Sequence, residues 1–349
     1  MNILRFSGSL LKTALLSLIL MAPNAPLAFG NDSFSVLLKD KNELVRAEAI
    51  RAFRASGPFS DQNVRLLTEA LQDPSDLVRR ETISTLESLG SKAEIAVPGI
   101  IKFLSTVEPG NLAQIHAPLA LKSIGLNNEA VISKLKNLIQ SQNSDLLPIR
   151  INSMVALGEL KGNPETIGPI LENICQNDSE HQALRLKCWA ALARVLPDHT
   201  QAVGELVEMV KGKYGEIVSA YTLASGLSMS FLPRRDALIT LSDLGKIDLV
   251  VPILIAELKN APPREKERTI RNLQVINPTA KPLRKMLPHL KQYIESGNIK
   301  DAQIKFITLV SIARIGGPVD GKAILKEVLK NSNDVQIKSF TTQILEKFK

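Results

Sequence analysis

The sequence contains few of the residues that build catalytic, metal-binding or disulfide-rich proteins. Two of its 349 residues are cysteine, four are histidine, and aromatic residues make up 4%. Two cysteines exclude a disulfide scaffold as the basis of the fold. No His-Glu-x-x-His motif, glycine-rich phosphate loop or nucleophile elbow occurs. We therefore predict no enzyme activity and assign no catalytic residue, no cofactor and no metal ligand.

The first 30 residues differ in composition from the rest. Arg5 and Lys12 precede an apolar run at residues 14–22, and the Ala-Phe-Gly at residues 28–30 has small residues where a signal peptidase reads. The apolar run is short for a membrane span. We predict a secretory signal peptide over residues 1–30, cleaved before Asn31, with an uncleaved anchor as the alternative. Export with so few cysteines favours the bacterial periplasm, and we expect no transmembrane segment once the signal is removed.

A nine-fold pattern is the strongest feature that the sequence does contain. In it a basic or amide anchor residue is followed three positions later by a mostly small residue and seven positions later by an apolar one. The anchors are Arg46, Arg79, Gln114, Arg150, Arg185, Arg234, Arg268, Lys305 and Lys338. Their spacings are 33, 35, 36, 35, 49, 34, 37 and 33 residues. A period of this length is typical of stacked repeats.

Each repeat reads as a pair of helices. In the stretch from Leu44 to Ser56, apolar residues recur at spacings of three and four, as they do on one face of an amphipathic helix. Gly57 and Pro58 then end the helix, and a second apolar stripe begins at Val64. Two short helices leave part of this stripe uncovered, so neighbouring repeats must stack to close the core.

The repeats resemble those of the HEAT-repeat family. The resemblance is carried by Asp76 to Arg79, Leu89-Gly90 and the segment from Ala96 through Pro98, and it extends over roughly residues 34 to 349. It implies an all-α fold, a right-handed α-solenoid (superhelix) of about eight to nine helical hairpins over residues 31–349. It also implies that the recurrent arginines bond neighbouring backbone or acidic groups and are structural. These repeat anchors are Arg46, Arg79, Arg150, Arg185, Arg234 and Arg268.

The spacing of 49 residues between Arg185 and Arg234 exceeds the ordinary period by about half a repeat. The extra material runs from Tyr214 to Leu232 and is rich in apolar residues. We predict an irregular inserted helix at about residues 212–232. It either packs between its neighbours or decorates a binding face, since insertions in repeat proteins map to one side.

The two cysteines, Cys175 and Cys188, lie near each other in the predicted repeat. Cys188 occupies the small buried position of its helix, and Cys175 lies near the end of the preceding helix. We expect two buried thiols, with a single disulfide in an oxidising compartment as the alternative.

Positive charge is concentrated in one segment. Without residues 1–30 the net charge is +6, whereas the segment from Lys259 to Lys291 alone carries +7. Such a segment favours an anionic partner, or it is simply a solvated helix face. We name a candidate partner-binding basic patch comprising Lys281, Arg284, Lys285 and Lys291. The last three are expected on the second helix of their repeat, on the concave side.

From the sequence, the function that fits best is a non-enzymatic scaffold or adaptor of the cell envelope. It would bind a protein or peptide partner along the concave face of the solenoid. One alternative is an envelope enzyme with a site in that groove. Another is a module that binds an anionic lipid or nucleic acid through residues 259–291, of which nucleic acid is disfavoured by the predicted export.

Overall fold

The computed structural model describes residues 31–57, 59–105, 107–108, 110–125, 128–160, 163–222 and 228–348. The signal peptide predicted over residues 1–30 lies outside these described residues. No helix within them is both long enough and apolar enough to cross a membrane.

The described chain is a succession of α-helices interrupted by one pair of strands. The earlier helices are α1 (Asn31–Leu37), α2 (Glu43–Ser56), α3 (Asp61–Glu69), α4 (Asp76–Leu89), α5 (Val97–Phe103), α6 (Leu112–Ile124), α7 (Glu129–Ile139), α8 (Leu147–Leu160), α9 (Pro164–Gln176), α10 (Gln182–Val195) and α11 (Thr200–Lys211). The strands β1 (Val218–Thr222) and β2 (Ser228–Phe231) come next. The later helices are α12 (Pro233–Asp243), α13 (Val251–Asn260), α14 (Pro263–Asn272), α15 (Leu287–Glu295), α16 (Ala302–Gly316), α17 (Lys322–Asn331) and α18 (Val335–Glu346). The predicted all-α class is therefore confirmed, apart from these two strands.

The chain divides into two compact units. The first contains the described residues up to Ala191 together with Ala220–Ser228, and the second contains Leu192–Ser219 and the residues from Met229 onward. In each unit, every anchor of the nine-fold pattern lies in an even-numbered helix. The sequence period therefore locates the first helix of each repeat.

Polar residues cap many of these helices at the start. Asn42 precedes α2 and accepts a hydrogen bond from the backbone N–H of Leu44, which would otherwise lack a partner in the first turn. Asp301 and Asp334 cap α16 and α18 in the same way. These caps explain why the helices begin where they do.

The core of each unit is made by the apolar positions of the repeat. In the first unit α4 packs between α2 and α6, and α6 also packs against α8; in the second, α16 packs between α14 and α18. Seven of the nine residues seven positions after an anchor are completely buried: Phe53, Leu86, Leu121, Leu157, Leu192, Leu241 and Ile312. Burying one such side chain stabilises the fold by about 1.5–3 kcal/mol.

The inserted helix predicted at about residues 212–232 is wrong. The structure has instead the two-stranded sheet of β1 and β2. Gly212 ends α11, because it caps the helix in the left-handed conformation with a φ of 92°. Serine and larger apolar residues alternate in β2, and β-branched and aromatic residues enrich β1, so both segments suit strands better than a helix.

The expectation of two free thiols is also wrong. Cys175 on α9 and Cys188 on α10 form a disulfide, with their Cα atoms 5.4 Å apart and both residues fully buried. This is the alternative that the sequence left open. The bond links the two neighbouring helices in the interior of the first unit.

Candidate functional site

The anchor residues donate hydrogen bonds to the end of the preceding helix and to a nearby acid. Arg150 is 5% exposed, and its guanidinium donates to the carbonyl of Ile139 at 3.0 Å and to Glu180 at 2.6 Å. Arg234 donates to the carbonyl of Val210 at 2.6 Å and pairs with Glu257 at 2.5 Å. Both guanidiniums are thus bonded inside the fold, although the Nε of Arg234 has no hydrogen-bond partner among the described residues.

Three other arginine anchors of the first unit bond the same kinds of group. Arg46 pairs with Asp73 at 2.7 Å, and hydrogen bonding to that carboxylate raises the pKa of the guanidinium. Arg79 donates to the carbonyl of Asp73 at 2.8 Å, and Arg185 donates to the carbonyl of Cys175 at 3.2 Å. The neighbours that these arginines bond are backbone carbonyls and acidic groups.

Arg268 departs from this rule. Its guanidinium bonds Glu216 at 3.0 Å, across 52 residues of sequence, and not an acid or carbonyl close to its own repeat. Three positions further on, where other repeats have a small buried residue, this repeat has the exposed Arg271. Helix α14 therefore has a solvent-exposed arginine at a position where the other repeats bury a small side chain.

The predicted basic patch is partly neutralised by acids one repeat further along. Arg284 pairs with Asp320 at 2.9 Å, and Lys291 pairs with Glu327 at 2.5 Å, an interaction that raises the pKa of the lysine. Lys281 and Lys285 form no ion pair within the described residues. Of the four, only Lys291 lies on the second helix, α15, since the others lie in the 3-10 segment Lys281–Met286. A role for this patch in partner binding stays a prediction.

A separate cavity of about 580 Å³ lies in the second unit. Its walls are the start of the inserted segment, the beginning of α12 and the exposed side of α14. Five arginines and two glutamates line it: Arg234, Arg235, Arg264, Arg268, Arg271, Glu216 and Glu267. Arginines outnumber acids in this lining, and we take the cavity as the candidate functional site.

The arginines of this cavity differ in how they are engaged. Arg271 pairs with Asp301 at 3.3 Å while remaining 45% exposed. Arg264 is 87% exposed and lies 3.5 Å from Glu216. Arg235 is exposed and forms no ion pair within the described residues. The donors of Arg235 and most of those of Arg264 are therefore available to a ligand.

Two aliphatic side chains of the cavity wall are also exposed. Ile217 is 65% exposed, and Leu232 is 40% exposed. Exposing such side chains forgoes about 1.5–3 kcal/mol of burial each, so an aliphatic group from a ligand gains by covering them. The site thus combines cationic and apolar recognition.

The inserted segment is fixed at the edge of this cavity. The hydroxyl of Tyr214 donates to Glu205 on α11, and burial together with this contact raises the pKa of the tyrosine. Lys213 also pairs with Glu205, at 3.3 Å. These contacts place Glu216 and Ile217, which follow directly, at the mouth of the cavity.

His181 and His199, which are candidates for a catalytic role, accept hydrogen bonds from backbone N–H groups near them in sequence. His199 Nδ1 accepts from the N–H of Ala202 at the start of α11, and His181 Nδ1 accepts from the N–H of Ala183. A second cavity, of about 650 Å³, contains His289, whose pKa is lowered by burial and by Lys259. Within the described residues, no three His, Cys, Asp or Glu side chains are grouped so that they could hold a metal ion.

Sequence reasoning located part of this site. Arg264, Arg268 and Arg271 fall within the basic segment, but Arg235 and Glu216 were not singled out. The Arg-Arg pair that follows the over-long spacing was the signal that could have found Arg235. Glu216 carried no signal, because its contact with α14 spans 52 residues.

Comparison with known proteins gives a family match for one part of the chain. Residues 32–106 match the family model described as HEAT repeats, which confirms the resemblance. No curated protein sequence matches the chain.

Several solved structures are similar at low identity. YibA of Escherichia coli is 14% identical over 99% of this chain and 99% of its own, with a TM-score of 0.39. A homology model of the full-length AP-3 complex in an intermediate open conformation is 15% identical over 98% of this chain and 72% of its own, with a TM-score of 0.45. Human deoxyhypusine hydroxylase in complex with glycerol is 14% identical over 95% of this chain and 99% of its own, with a TM-score of 0.30.

Proposed function

We propose that this chain, which carries HEAT repeats over residues 32–106, is a non-enzymatic interaction module that binds a protein partner. Such repeats are commonly protein-interaction scaffolds, and the family is typically non-enzymatic. The observation that carries the proposal is the arginine-lined cavity of the second unit, with its exposed Ile217 and Leu232. Helices that are already packed lose little conformational entropy on binding, which favours recognition by such a surface.

We place this module in the cell envelope, most simply the bacterial periplasm. The signal peptide expected over residues 1–30 supports export. The disulfide between Cys175 and Cys188 supports an oxidising compartment, where such bonds persist. Osmotic shock of the host cells should release the protein with Asn31 at its N-terminus. A chain that retains residues 1–30 and stays with the cytosolic fraction would disprove this location.

Site-specific crosslinking in intact cells tests the interaction itself. A photo-crosslinking amino acid at position 235 should yield a discrete adduct with a protein, identified by mass spectrometry. The matched control replaces Arg65, an exposed arginine on α3 in the first unit that does not line the cavity. Protein adducts that are absent at position 235, or identical at both positions, would remove the cavity from the proposal.

A further inference from the structure

We infer that the arginine-lined cavity binds a linear acidic segment of the partner that carries an aliphatic side chain, and that Glu216 occupies two of its arginines, Arg264 and Arg268, when the partner is absent. This inference rests on the proposed function and specifies the chemistry of its ligand. It is built from three features of the second unit: the charge of the cavity, the position of Glu216, and the exposed aliphatic wall.

The charge of the cavity selects a carboxylate-bearing ligand. Arg235 has no ion-pair partner within the described residues, and Arg264 is 87% exposed. A guanidinium offers planar, paired donors that match a carboxylate, so two such groups in one cavity favour an acidic peptide. By contrast, the anchor arginines of other repeats, such as Arg150, are used within the fold.

Glu216 is a carboxylate that the chain itself supplies to this cavity. It reaches Arg268 at 3.0 Å and Arg264 at 3.5 Å from a segment that begins at Gly212 and contains Gly215, both with positive φ. Glu216 is 49% exposed. Ion pairs between groups this exposed are weak, so the carboxylate of a ligand can replace Glu216 at little cost.

The aliphatic wall distinguishes an acidic peptide from other anions. Ile217 follows Glu216 directly, and Leu232 lies on the same cavity. A peptide can place a leucine or isoleucine against these side chains while its neighbouring acids meet the arginines. None of the described residues that line the cavity is aromatic, whereas proteins that bind single-stranded nucleic acid stack bases on aromatic side chains.

Binding of a defined peptide to the purified mature protein tests this inference. The probe is a short fluorescent peptide in which a leucine is flanked by glutamates, with fluorescence anisotropy as the readout. Arg264→Glu should weaken binding about ten-fold, because it replaces an attraction by a repulsion. Glu216→Gln should instead tighten binding about three-fold, because it removes the competing carboxylate. Arg65→Glu, with the same charge change on the first unit, should leave the affinity unchanged.

The contribution of the aliphatic contact to binding is measured by changing the peptide and the protein together. Replacing the leucine of the peptide by alanine should weaken binding to the wild-type protein about five-fold. The same replacement should have a smaller effect on the Ile217→Ser variant, because its wall no longer offers an aliphatic contact. Circular dichroism of each variant checks that the helices are intact.

Three results would overturn the inference: no binding of the acidic peptide at submillimolar concentration, equal binding of a lysine-flanked peptide, or weaker binding after Glu216→Gln. Tighter binding of phosphatidylglycerol vesicles or of a single-stranded oligonucleotide, lost in Arg264→Glu, would also overturn it in favour of that anion. If the peptide fails while position 235 still crosslinks to a protein, the ligand chemistry is wrong and the interaction module stands.

Discussion

At the scale of single residues, the buried ion pairs of the repeat anchors are the contacts most sensitive to substitution. Arg150→Ala leaves the Glu180 carboxylate, 11% exposed, and the Ile139 carbonyl without their donor. Because an unpaired buried charge is costly, we expect the free energy of unfolding to fall by about 3 kcal/mol. Urea unfolding followed by circular dichroism measures this change.

An exposed arginine provides the control for that prediction. Arg80 pairs with Asp76 at 2.9 Å one helical turn away, and both side chains are more than 40% exposed. Arg80→Ala should therefore cost less than about 0.5 kcal/mol. Equal losses for Arg80→Ala and Arg150→Ala would show that the burial of the anchor pair is unimportant.

Asp334 gives a prediction for the dependence of stability on pH. Lys305 and the N–H of Ile337 both donate to its carboxylate, and the bond from Lys305 is the main cause that lowers its pKa. Since the folded-state pKa is below the unfolded value, the charged form stabilises the protein at neutral pH. This contribution begins to decline below about pH 4 and is lost as the pH falls through the lowered pKa.

Asp334→Asn isolates this effect, because asparagine can still cap α18. Wild type should melt at a higher temperature than the variant at neutral pH, and the difference should vanish in acid. Asp334→Ala removes the cap as well and should melt lower than Asp334→Asn throughout. A difference between wild type and Asp334→Asn that is independent of pH would contradict the assignment.

At the scale of helices, two glycines should respond to alanine in opposite directions. A Cβ at Gly158 on α8 would lie 2.7 Å from the Cα of Ala191 on α10, whereas a Cβ at Gly204 on α11 would have no atom within 4 Å. Gly158→Ala should therefore destabilise the protein by about 1–3 kcal/mol through overpacking. Gly204→Ala should stabilise it by about 0.5–1 kcal/mol through helix propensity. Thermal unfolding of both variants decides this, and stabilisation by Gly158→Ala would contradict the close approach of the two helices.

The disulfide between α9 and α10 is the second feature at this scale. Its cysteines are 13 residues apart, so the bond restricts the unfolded chain and should contribute about 3 kcal/mol. Reductant should lower the urea midpoint of the wild type toward that of a Cys175→Ala, Cys188→Ala double variant. The midpoint of the double variant should not respond to reductant. Equal midpoints for the oxidised wild type and the double variant would argue against this contribution.

At the scale of the whole molecule, the stability of repeat proteins is close to a sum over neighbouring repeats. Trp189 is the single tryptophan, is 4% exposed, and lies in the first unit. Gly158→Ala should therefore shift the fluorescence midpoint in urea by more than the circular dichroism midpoint. Arg234→Ala, in the second unit, should have the opposite pattern. Equal shifts in both signals would mean that the chain unfolds as one cooperative body.

The sequence predicted the order of the helices well, because the repeat is a local pattern. Anchors such as Arg46 and Arg150, with their buried partners seven residues later, located the first helix of each repeat. The insertion was predicted as a helix because apolar residues are frequent in it. The period-two alternation of β2 is only four residues long, and so it gave little signal against that interpretation.

The candidate site was less predictable, because its charges are paired across repeats. Arg284 pairs with Asp320 and Lys291 pairs with Glu327, and in both pairs the acid lies 36 residues further along the chain. Glu216 meets Arg268 across 52 residues. A local count of charge therefore placed the patch on residues of which two, Arg284 and Lys291, are paired with acids one repeat later. It missed Arg235, which has no ion-pair partner within the described residues.

The bond from Arg234 to the carbonyl of Val210 crosses 24 residues, whereas the corresponding bond from Arg150 crosses 11. In both cases the arginine donates a hydrogen bond to the end of the previous helix, whatever the length of the segment that joins the two helices. Loop length is thereby decoupled from helix register. Residues can therefore be inserted between α11 and α12, by evolution or by design, while the hydrogen bond between these two helices is kept.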